Sequence, residues 1–298
     1  MSAGEMSGVR QILGNKRWLP EAWEEAGCIL CEAPRRQAMV LRDPERGNIV
    51  RCTACGLVFR NPRLKENVQT RHFEGEWTES RPAVQLEAYR TKILKSIVGW
   101  ILRRRPAPGA ILDIGSSYGN LLAQFPATWE RFGIEPSRTA CQIAQRRLPE
   151  AQIITGTLAS AKLPTQAFDI ITIVDSIYYF HHPVSDLSRL PDLLKPNGMV
   201  LIEAPNFANR GPVYRWLGHP FDDTWMYFYT PRTLERVLNK AGLEVVERID
   251  LPGHQVGSRD RGRQAITWLE FYLTKGLARI SRGKLDLVPH FVMVARRC

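Results

Sequence analysis

A glycine-bearing turn after a short apolar run constrains this chain most. Residues 110–122 read Ala-Ile-Leu-Asp-Ile-Gly-Ser-Ser-Tyr-Gly-Asn-Leu-Leu. The pattern predicts a buried strand that carries Asp113, a turn holding Gly115 and Gly119, and a helix from Asn120. Glycines at the carboxyl end of a parallel strand let the backbone approach a nucleotide-like ligand, and a helix amino terminus offers free N–H groups. The stretch therefore predicts a ligand-binding turn.

Three kinds of ligand site compete for this turn. A dinucleotide site needs the spacing G-x-G-x-x-G, which Ser117 interrupts. A hydrolase nucleophile turn needs G-x-S-x-G, which Gly115, Ser117 and Gly119 satisfy, but no His-Gly-Gly segment is present to form an oxyanion hole, so we treat that match as accidental. The third is a nucleoside site without phosphate. A second short strand, residues 131–135, ends in Glu135, whose carboxylate can accept both ribose hydroxyls.

The residues on these two strands resemble the motifs of a known family. Leu-Asp-Ile-Gly-Ser-Ser-Tyr-Gly at 112–119 and Gly-Ile-Glu-Pro-Ser at 133–137 are similar to the first motif and the second strand end of class I S-adenosylmethionine-dependent methyltransferases, which usually have glycine at the position of Ser117. The resemblance implies an α/β fold with a Rossmann-like seven-stranded sheet, helices on both faces, and S-adenosylmethionine as cofactor. The cofactor-binding residues it implies are Asp113, Gly115, Ser117, Gly119, Glu135, Thr157, Leu158 and Asp175.

Alternating apolar runs and helical patterns follow along the chain, as expected for a doubly wound parallel sheet. After the first two strands we predict a helix at 137–147, strands at 152–155 and 168–175, a helix at 183–194, strands at 199–203 and 243–249, and an antiparallel closing strand at 290–296. After the strand at 152–155, Thr157 stands where the family often has an adenine-binding acid. It offers only a hydroxyl, and the N–H of Leu158 can bond the adenine edge instead.

The segment after the strand at 168–175 carries the candidate catalytic residues. Related enzymes often end this strand with Asp-x-x-Glu-His; here Asp175 matches, but Tyr178 and Tyr179 replace the Glu-His pair. His181 and His182 follow, and an ordinary histidine pKa near 6.5 suits proton acceptance at neutral pH. These four residues favour an oxygen acceptor, because a hydroxyl profits from a base more than an amine does. No carboxylate cluster with magnesium-site spacing is visible, so we predict metal-independent chemistry.

Several other polar and aromatic residues are candidates for contact with the acceptor. Glu203, Asn206 and Arg210 follow the fifth strand at the same edge of the sheet. Two aromatic-rich stretches can line a pocket; the alternative for the first is packing against the ribbon, and for the second it is packing over the sheet edge. They contain His72, Phe73 and Trp77 in the first stretch, and Tyr214, Trp216, His219, Phe221, Trp225, Tyr227, Phe228 and Tyr229 in the second.

Four cysteines near the amino terminus have the spacing of a structural zinc site. Cys28-x2-Cys31 and Cys52-x2-Cys55 flank a predicted hairpin at 38–51. Each C-x-x-C turn can direct two sulfurs at one tetrahedral metal, and four thiolates close the coordination shell. Paired redox disulfides are the alternative. We read Cys141 as a helix residue that faces the core.

The cysteine pairs, the segment Gly-Leu-Val-Phe-Arg-Asn-Pro at 56–62 and the downstream motifs together resemble a bacterial group of zinc-ribbon methyltransferases. Several of its members act on sugars, cell-surface glycans or other small metabolites. The resemblance implies a small-molecule acceptor, with a hydroxyl of a sugar or glycan precursor as the finer expectation. RNA base methylation and an inactive scaffold are alternatives. The domain plan comprises a tail at 1–25, a zinc ribbon at 26–64, a helical linker or lid at 65–108 and a methyltransferase domain at 109–298.

Charge and hydropathy bear on partners and location. The formal charge of +11 leaves nucleic acid, anionic lipid and phosphorylated substrates open as partners. An amphipathic helix at 264–282 either contacts a membrane surface or packs on the fold or a second subunit. The first 25 residues lack an apolar signal segment, and no apolar run approaches the roughly 18 residues of a membrane span. We therefore expect a cytoplasmic protein.

Overall fold

The computed structural model describes residues 20–31, 37–43, 46–76, 83–208, 224–253 and 261–298. The amino-terminal part contains β1 (Trp23–Glu24), β2 (Gln37–Leu41), β3 (Ile49–Cys52), β4 (Val58–Arg60), β5 (Arg63–Leu64), α1 (Glu66–Glu76) and α2 (Ala83–Arg104). The remainder contains β6 (Ala110–Ile114), β7 (Glu130–Glu135), α3 (Arg138–Arg147), β8 (Gln152–Thr155), β9 (Phe168–Val174), α4 (Pro183–Leu187), α5 (Leu190–Leu193), β10 (Leu194–Pro205), β11 (Tyr227–Phe228), α6 (Pro231–Lys240), β12 (Leu243–Leu251), α7 (Arg261–Ile280) and β13 (His290–Arg297). Within these ranges no helix combines the length and apolar character that crossing a bilayer requires.

A seven-stranded sheet forms the centre of the molecule. Its strand order is β12-β13-β10-β9-β6-β7-β8. Strands β6 to β10 pair in parallel, whereas β13 pairs antiparallel with both β10 and β12. The predicted seven-stranded sheet and its antiparallel closing strand are confirmed.

Apolar residues on both faces of the sheet explain its burial. All five residues of β6 are buried, and Ile170, Ile171 and Ile173 of β9 are fully buried, as expected of central parallel strands. Helix α2 covers one face through an apolar stripe that includes Ile97 and Ile101. Helix α6 covers the other face with the rest of the core. The predicted helices on both faces are confirmed, and the carboxyl ends of the parallel strands stay open to a ligand.

Two predicted helices are wrong in extent, and proline explains both. After the glycine turn, only a short 3-10 turn, Leu122–Gln124, replaces the helix predicted from Asn120. Pro126 disfavours helical geometry at the residue before it, and Phe125 is extended at ψ 144°. The helix predicted at 183–194 splits into α4 and α5, because Pro191 lacks an N–H and clashes with a helical carbonyl four residues earlier.

The cysteine-rich segment shares a sheet and a core with a distant part of the chain. Strands β2, β3 and β4 form a four-stranded sheet with β11, in which Tyr227 lies opposite Phe59. Cys28, Cys52 and Phe59 belong to the same buried cluster as Tyr227 and the large sheet. The sequence pattern did not predict this strand pairing. The pairing of β4 with β11 couples the amino-terminal segment to residues that border the candidate site.

Candidate active site

The glycine turn after β6 adopts the conformation that its residues predict. Gly115, Ser117 and Gly119 all have positive φ, at 78°, 50° and 73°. The N–H of Gly115 donates to the carbonyl of Ile134 at 2.8 Å, which holds the turn against β7. A Cβ at Gly115 would lie 2.6 Å from the Cβ of Ser176, so only glycine fits there. Ser117 takes the left-handed conformation although it replaces the family's usual glycine.

Glu135 at the end of β7 joins the turn to the start of α3. One carboxylate oxygen accepts the N–H of Ser117 at 3.0 Å, and the other accepts the N–H of Ser137 at 2.9 Å. The predicted neighbours are therefore brought together: the glycine turn and the strand-end carboxylate are in direct contact. Because a carboxylate has about four lone-pair sites, two remain for a ligand.

Burial shifts the pKa of both strand-end acids. Burial raises the pKa of Glu135 to about 7, with the N–H groups of Ser137 and Ser117 acting in the opposite direction and the charge of Glu74 adding to the rise. Burial likewise raises the pKa of Asp113 to about 7, opposed by the hydroxyl of Thr172. A shifted carboxyl pKa such as that of Glu135 is typical of functional sites.

A cavity of about 360 Å³ lies at the carboxyl ends of β6, β7, β8 and β9. Six of the eight predicted cofactor residues line it: Gly115, Ser117, Glu135, Thr157, Leu158 and Asp175. Its volume falls within the range of small-molecule sites, roughly 300–1,000 Å³. These residues, with a carboxylate that retains accepting capacity, fit a nucleoside such as that of S-adenosylmethionine.

The two remaining predicted cofactor residues lie behind the turn. Asp113 is buried, accepts the Thr172 hydroxyl at 2.7 Å and does not line the cavity. Gly119 also lies outside the lining, and a Cβ there would meet Leu148 at 2.9 Å. The prediction of direct cofactor contact is therefore corrected for both residues: Asp113 ties β6 to β9, and Gly119 allows close packing beneath the turn.

Asp175 occupies a strained position at the edge of the cavity. Its φ is 54°, and its N–H donates to the carboxylate of Glu203 at 3.1 Å. His290 Nδ1 lies 2.7 Å from the other Glu203 oxygen, in a buried pair. The hydroxyl of Tyr178 donates to the Asp175 side chain at 3.3 Å. The Glu203–His290 pair thus holds the backbone of Asp175 in its left-handed conformation.

The same contacts correct two sequence predictions. Glu203 and Asn206, predicted to meet acceptor hydroxyls, are fully buried and do not line the cavity; the Asn206 amide donates to the carbonyl of Asp286 at 3.0 Å. Ligand-type atoms of Asp175, Glu203 and His290 lie within 4.8 Å of one another, a grouping that sequence spacing did not reveal. Both Glu203 oxygens have partners within the protein, so we read the grouping as a support for Asp175.

Aromatic side chains line the cavity beyond Asp175. Tyr178 and Tyr179 both line it, with ring centroids 4.5 Å apart. Trp225 packs on Tyr178 at 4.3 Å, and Phe73 of α1 meets the edge of Tyr179 at 5.2 Å. Phe73 lines the cavity, which is one of the two roles left open by the sequence, whereas His72 lies outside the lining. Trp77, Arg210 and the stretch from Tyr214 to Phe221 lie outside the described residues.

The two histidines differ in placement. His181 lines the cavity and is buried; burial, followed by the charges of Arg63 and His182, lowers its pKa from 6.5 to about 3. Its ring is therefore neutral at physiological pH but a weak proton acceptor. His182 is exposed at the start of α4 and does not line the cavity. The ordinary pKa assumed from sequence does not apply to His181, and the geometry places His182 away from the reacting region.

Residues from the amino-terminal part hold the catalytic segment, and sequence reasoning missed them. Arg63 donates to the His181 carbonyl at 2.9 Å and to the Tyr227 hydroxyl at 3.0 Å. Gln69 of α1 donates to the Tyr179 carbonyl at 3.1 Å and lines the cavity. These contacts join positions more than 100 residues apart, so no local pattern could have indicated them.

The four cysteines of the predicted zinc site converge. Ligand atoms of Cys28, Cys31, Cys52 and Cys55 all lie within 4.8 Å of one another. The sulfurs of Cys28 and Cys55 are 3.3 Å apart, as are those of Cys31 and Cys52. Four thiols at this separation match the donor set of a tetrahedral zinc site. Cys141 is buried on α3, as predicted.

The fold and the cavity together define a class I S-adenosylmethionine-dependent methyltransferase domain. Residues 86–248 match the family described as Methyltransferase domain, which is more than half of the chain. The chain belongs to this methyltransferase domain family.

Curated relatives share part of the chain. It is 28% identical over 154 residues to ubiquinone biosynthesis O-methyltransferase from Rhodopseudomonas palustris (strain BisA53), covering 47% of this chain and 60% of the relative. It is 32% identical over 168 residues to the protein of the same name from Ruegeria pomeroyi, covering 48% and 64%. The chain thus spans about three fifths of the length of these curated relatives.

Solved structures share the fold at low identity. An S-adenosylmethionine-dependent methyltransferase from Thermotoga maritima superposes with a TM-score of 0.54 at 18% identity, covering 77% of this chain and 99% of that one. Magnesium protoporphyrin IX methyltransferase from Synechocystis PCC 6803, solved with bound SAH, superposes with a TM-score of 0.55 at 13% identity, covering 78% and 100%. These likenesses confirm the predicted α/β methyltransferase fold.

Proposed function

We propose that this chain transfers a methyl group from S-adenosylmethionine to a hydroxyl oxygen of a small, ring-shaped molecule. The observation that carries the proposal is the contact between Glu135 and the glycine turn, with the Ser117 N–H 3.0 Å from the carboxylate at the wall of the cavity. Two free lone-pair sites on that carboxylate suit the two hydroxyls of a ribose. Glu135 would hold the sugar, and Thr157 and Leu158 would border the adenine.

In this reaction the protein positions the acceptor beside the cofactor and encloses both. When bound, S-adenosylmethionine supplies an activated methyl group on a positively charged sulfur. The protein must hold the acceptor oxygen in line with that methyl, about 3 Å away. Phe73, Tyr178, Tyr179 and Trp225 form an aromatic border to the cavity. Their rings would exclude water and stack on a flat or ring-shaped acceptor.

We propose that Asp175 accepts a hydrogen bond from the acceptor hydroxyl and orients its oxygen toward the methyl group, with Tyr178 as its hydrogen-bonding partner, while the hydroxyl proton leaves to solvent as the methyl is transferred. The tyrosine hydroxyl lies 3.3 Å from the Asp175 carboxylate, and both residues line the cavity. His181 has too low a pKa to act as an effective base near neutral pH, so it would serve as a neutral hydrogen-bonding group. Tyr179 would contact the acceptor ring. His182, exposed and outside the lining, has no part in this scheme.

The acceptor class has two sources of support. The zinc-ribbon resemblance favours a sugar or glycan precursor, and we retain that expectation as the finer proposal. The relatives are named for ubiquinone biosynthesis and O-methylation, which favours a phenolic ring. Both kinds of molecule present a hydroxyl on a ring that can stack on Trp225 or Tyr179. Oxygen as the accepting atom is common to both.

We also propose that Cys28, Cys31, Cys52 and Cys55 hold one structural zinc ion. Four sulfur ligands leave no open position for chemistry. We propose functional units at 26–64 for the zinc ribbon, 65–108 for the linker or lid and 109–298 for the methyltransferase domain, preceded by the tail at 1–25. In this arrangement the linker contributes Gln69 and Phe73 to the cavity.

A labelled-cofactor assay tests the proposed function. The purified chain is incubated with methyl-labelled S-adenosylmethionine and, separately, a catechol, a nucleotide sugar or structured RNA. We expect label on the catechol or the sugar. Tyr178→Phe should lower kcat about tenfold, because Asp175 loses the hydrogen bond that orients it, while exposed Tyr272→Phe should leave kcat unchanged. Label on RNA alone would indicate base methylation, and cofactor binding without transfer to a metabolite extract would indicate an inactive scaffold; either result contradicts the proposal.

A further inference from the structure

Helix α7 carries an apolar face that points away from the protein. Most of the exposed large apolar side chains in the described ranges lie on this helix: Ile266, Trp268, Leu269, Tyr272, Leu273, Leu277 and Ile280. Ile266 and Ile280 are 67% and 84% exposed. A surface helix normally turns its apolar stripe to the core. An exposed stripe of this length indicates an interaction surface.

A different stripe of the helix is buried. Thr267, Phe271 and Thr274 are buried, and they recur at the spacing of one helix face. At about 100° per residue, Leu269, Leu273 and Ile280 project from nearly the opposite side. The exposed apolar face is therefore not left over from imperfect packing of an amphipathic helix. It is a separate face, on the side of the helix away from the buried stripe.

Aromatic rings and cations lie along one edge of that face. Trp268 and Tyr272 stack with centroids 5.8 Å apart. Lys275 and Arg279 fall beside them on the helix, and Arg282 follows directly after it. Aromatic rings with a polar end, flanked by lysine and arginine, suit the boundary between lipid headgroups and acyl chains. A protein partner would not require this ordering from apolar centre through aromatic edge to positive charge.

We propose that α7 docks on the surface of a membrane that contains anionic lipid. Ile266, Leu269, Leu273, Leu277 and Ile280 enter the acyl region, while Lys275, Arg279 and Arg282 meet the negative headgroups. The basic edge is complementary in charge to an anionic lipid surface, and for that reason we take a lipid surface rather than a second copy of this chain as the occupant. The helix lies in the plane of the membrane, in keeping with its lack of a spanning segment among the described residues.

Vesicle co-sedimentation of the full chain tests this proposal. The probes are phosphatidylcholine vesicles with and without about 30% phosphatidylglycerol. The phosphatidylglycerol gives the vesicle a negative surface potential. We expect binding to the anionic vesicles that weakens at least about tenfold in Leu269→Glu/Leu273→Glu. Lys275→Gln/Arg279→Gln should lower binding to anionic vesicles and make it less sensitive to salt. Met39→Glu/Val246→Glu changes exposed apolar side chains elsewhere and should bind like the unaltered chain.

Control measurements show whether the variants alter only the membrane contact. Circular dichroism and the affinity for S-adenosylmethionine should be unchanged in every variant, because Leu269 and Leu273 are about 60% exposed and outside the cavity. Absence of vesicle binding by the unaltered chain would overturn the proposal. So would a stable dimer, measured by light scattering, that Leu269→Glu/Leu273→Glu converts to monomer, since the face would then join two copies of the chain.

Discussion

Single residues in the turn after β6 determine whether a ligand can approach the backbone. Gly115 has φ 78° and lies against Ser176, whereas Ser117 adopts φ 50° with a side chain. The first position excludes any side chain, and the second tolerates one at a conformational cost. The sequence showed the glycines, but only the structure shows that Ser117 keeps the conformation of the glycine it replaces.

A pair of substitutions separates these two positions. Gly115→Ala should lower the free energy of unfolding by roughly 2 kcal/mol and abolish cofactor binding, because the new Cβ meets Ser176 at 2.6 Å in a left-handed backbone. Ser117→Gly should keep binding and leave stability equal or up to about 1 kcal/mol higher, because the left-handed strain is relieved. Urea unfolding and calorimetry measure both. A tolerated Gly115→Ala would contradict the geometry of the turn.

The pKa of Glu135 predicts a pH dependence of cofactor binding. Burial raises that pKa to about 7, and only the ionised carboxylate accepts hydrogen bonds from both ribose hydroxyls. As pH falls below 7, protons compete with the cofactor, so the Kd for S-adenosylmethionine should rise, approaching tenfold per pH unit. Calorimetry from pH 8.5 to 5.5 measures this rise. Glu135→Gln should remove the part of the slope due to this residue; an affinity constant over the whole range would contradict the assignment.

At the scale of elements, two parallel strands were predicted closely, whereas the fifth strand, predicted at 199–203, extends from Leu194 to Pro205. The strand at Gln152–Thr155 has the predicted bounds, and the strand from Phe168 ends one residue earlier than predicted. The bounds of these two strands could be predicted because each is a local apolar run bounded by turn residues. Helices were less predictable where proline intervened, since Pro126 disfavours helical geometry at the residue before it and Pro191 lacks the N–H that a helix needs.

Elements assembled from distant segments could not be predicted. The pairing of β4 with β11 and the hydrogen bond from Arg63 to the His181 carbonyl join residues separated by more than 100 positions. Burial of His181 changes its pKa for the same reason: its neighbours come from other elements. The candidate site was therefore predictable as a set of strand ends, but not as a cavity with defined walls and acid–base properties.

The cysteine-bearing element makes a prediction about metal and stability. The purified chain should contain about one zinc ion, and Cys52→Ser should lose it and lower the Tm by roughly 5–10 °C, because the cysteines share a core with the large sheet. Exposed Cys298→Ser is the matched control and should change neither value. Metal analysis and thermal unfolding measure both. A metal-free chain whose stability is indifferent to Cys52→Ser would contradict a structural zinc site.

Across the whole molecule, the candidate site residues lie at one edge of the large sheet. The carboxyl ends of β6 to β9, the α1 side chains and Trp225 surround one cavity, while α7 carries the exposed apolar face. The positive formal charge of the chain suits an anionic surface for that face. A ring-shaped acceptor with some solubility in lipid would be compatible with both features.

Calorimetry tests most directly whether the glycine turn and Glu135 together hold the ribose of S-adenosylmethionine. At pH 8, the unaltered chain should bind one cofactor molecule, and Glu135→Gln should weaken binding roughly 30- to 100-fold, equal to losing hydrogen bonds to a charged group. Glu130→Gln, on the same strand but exposed, should change the Kd less than about twofold. Equal affinity of the unaltered chain and Glu135→Gln, with the fold intact by circular dichroism, would contradict the account.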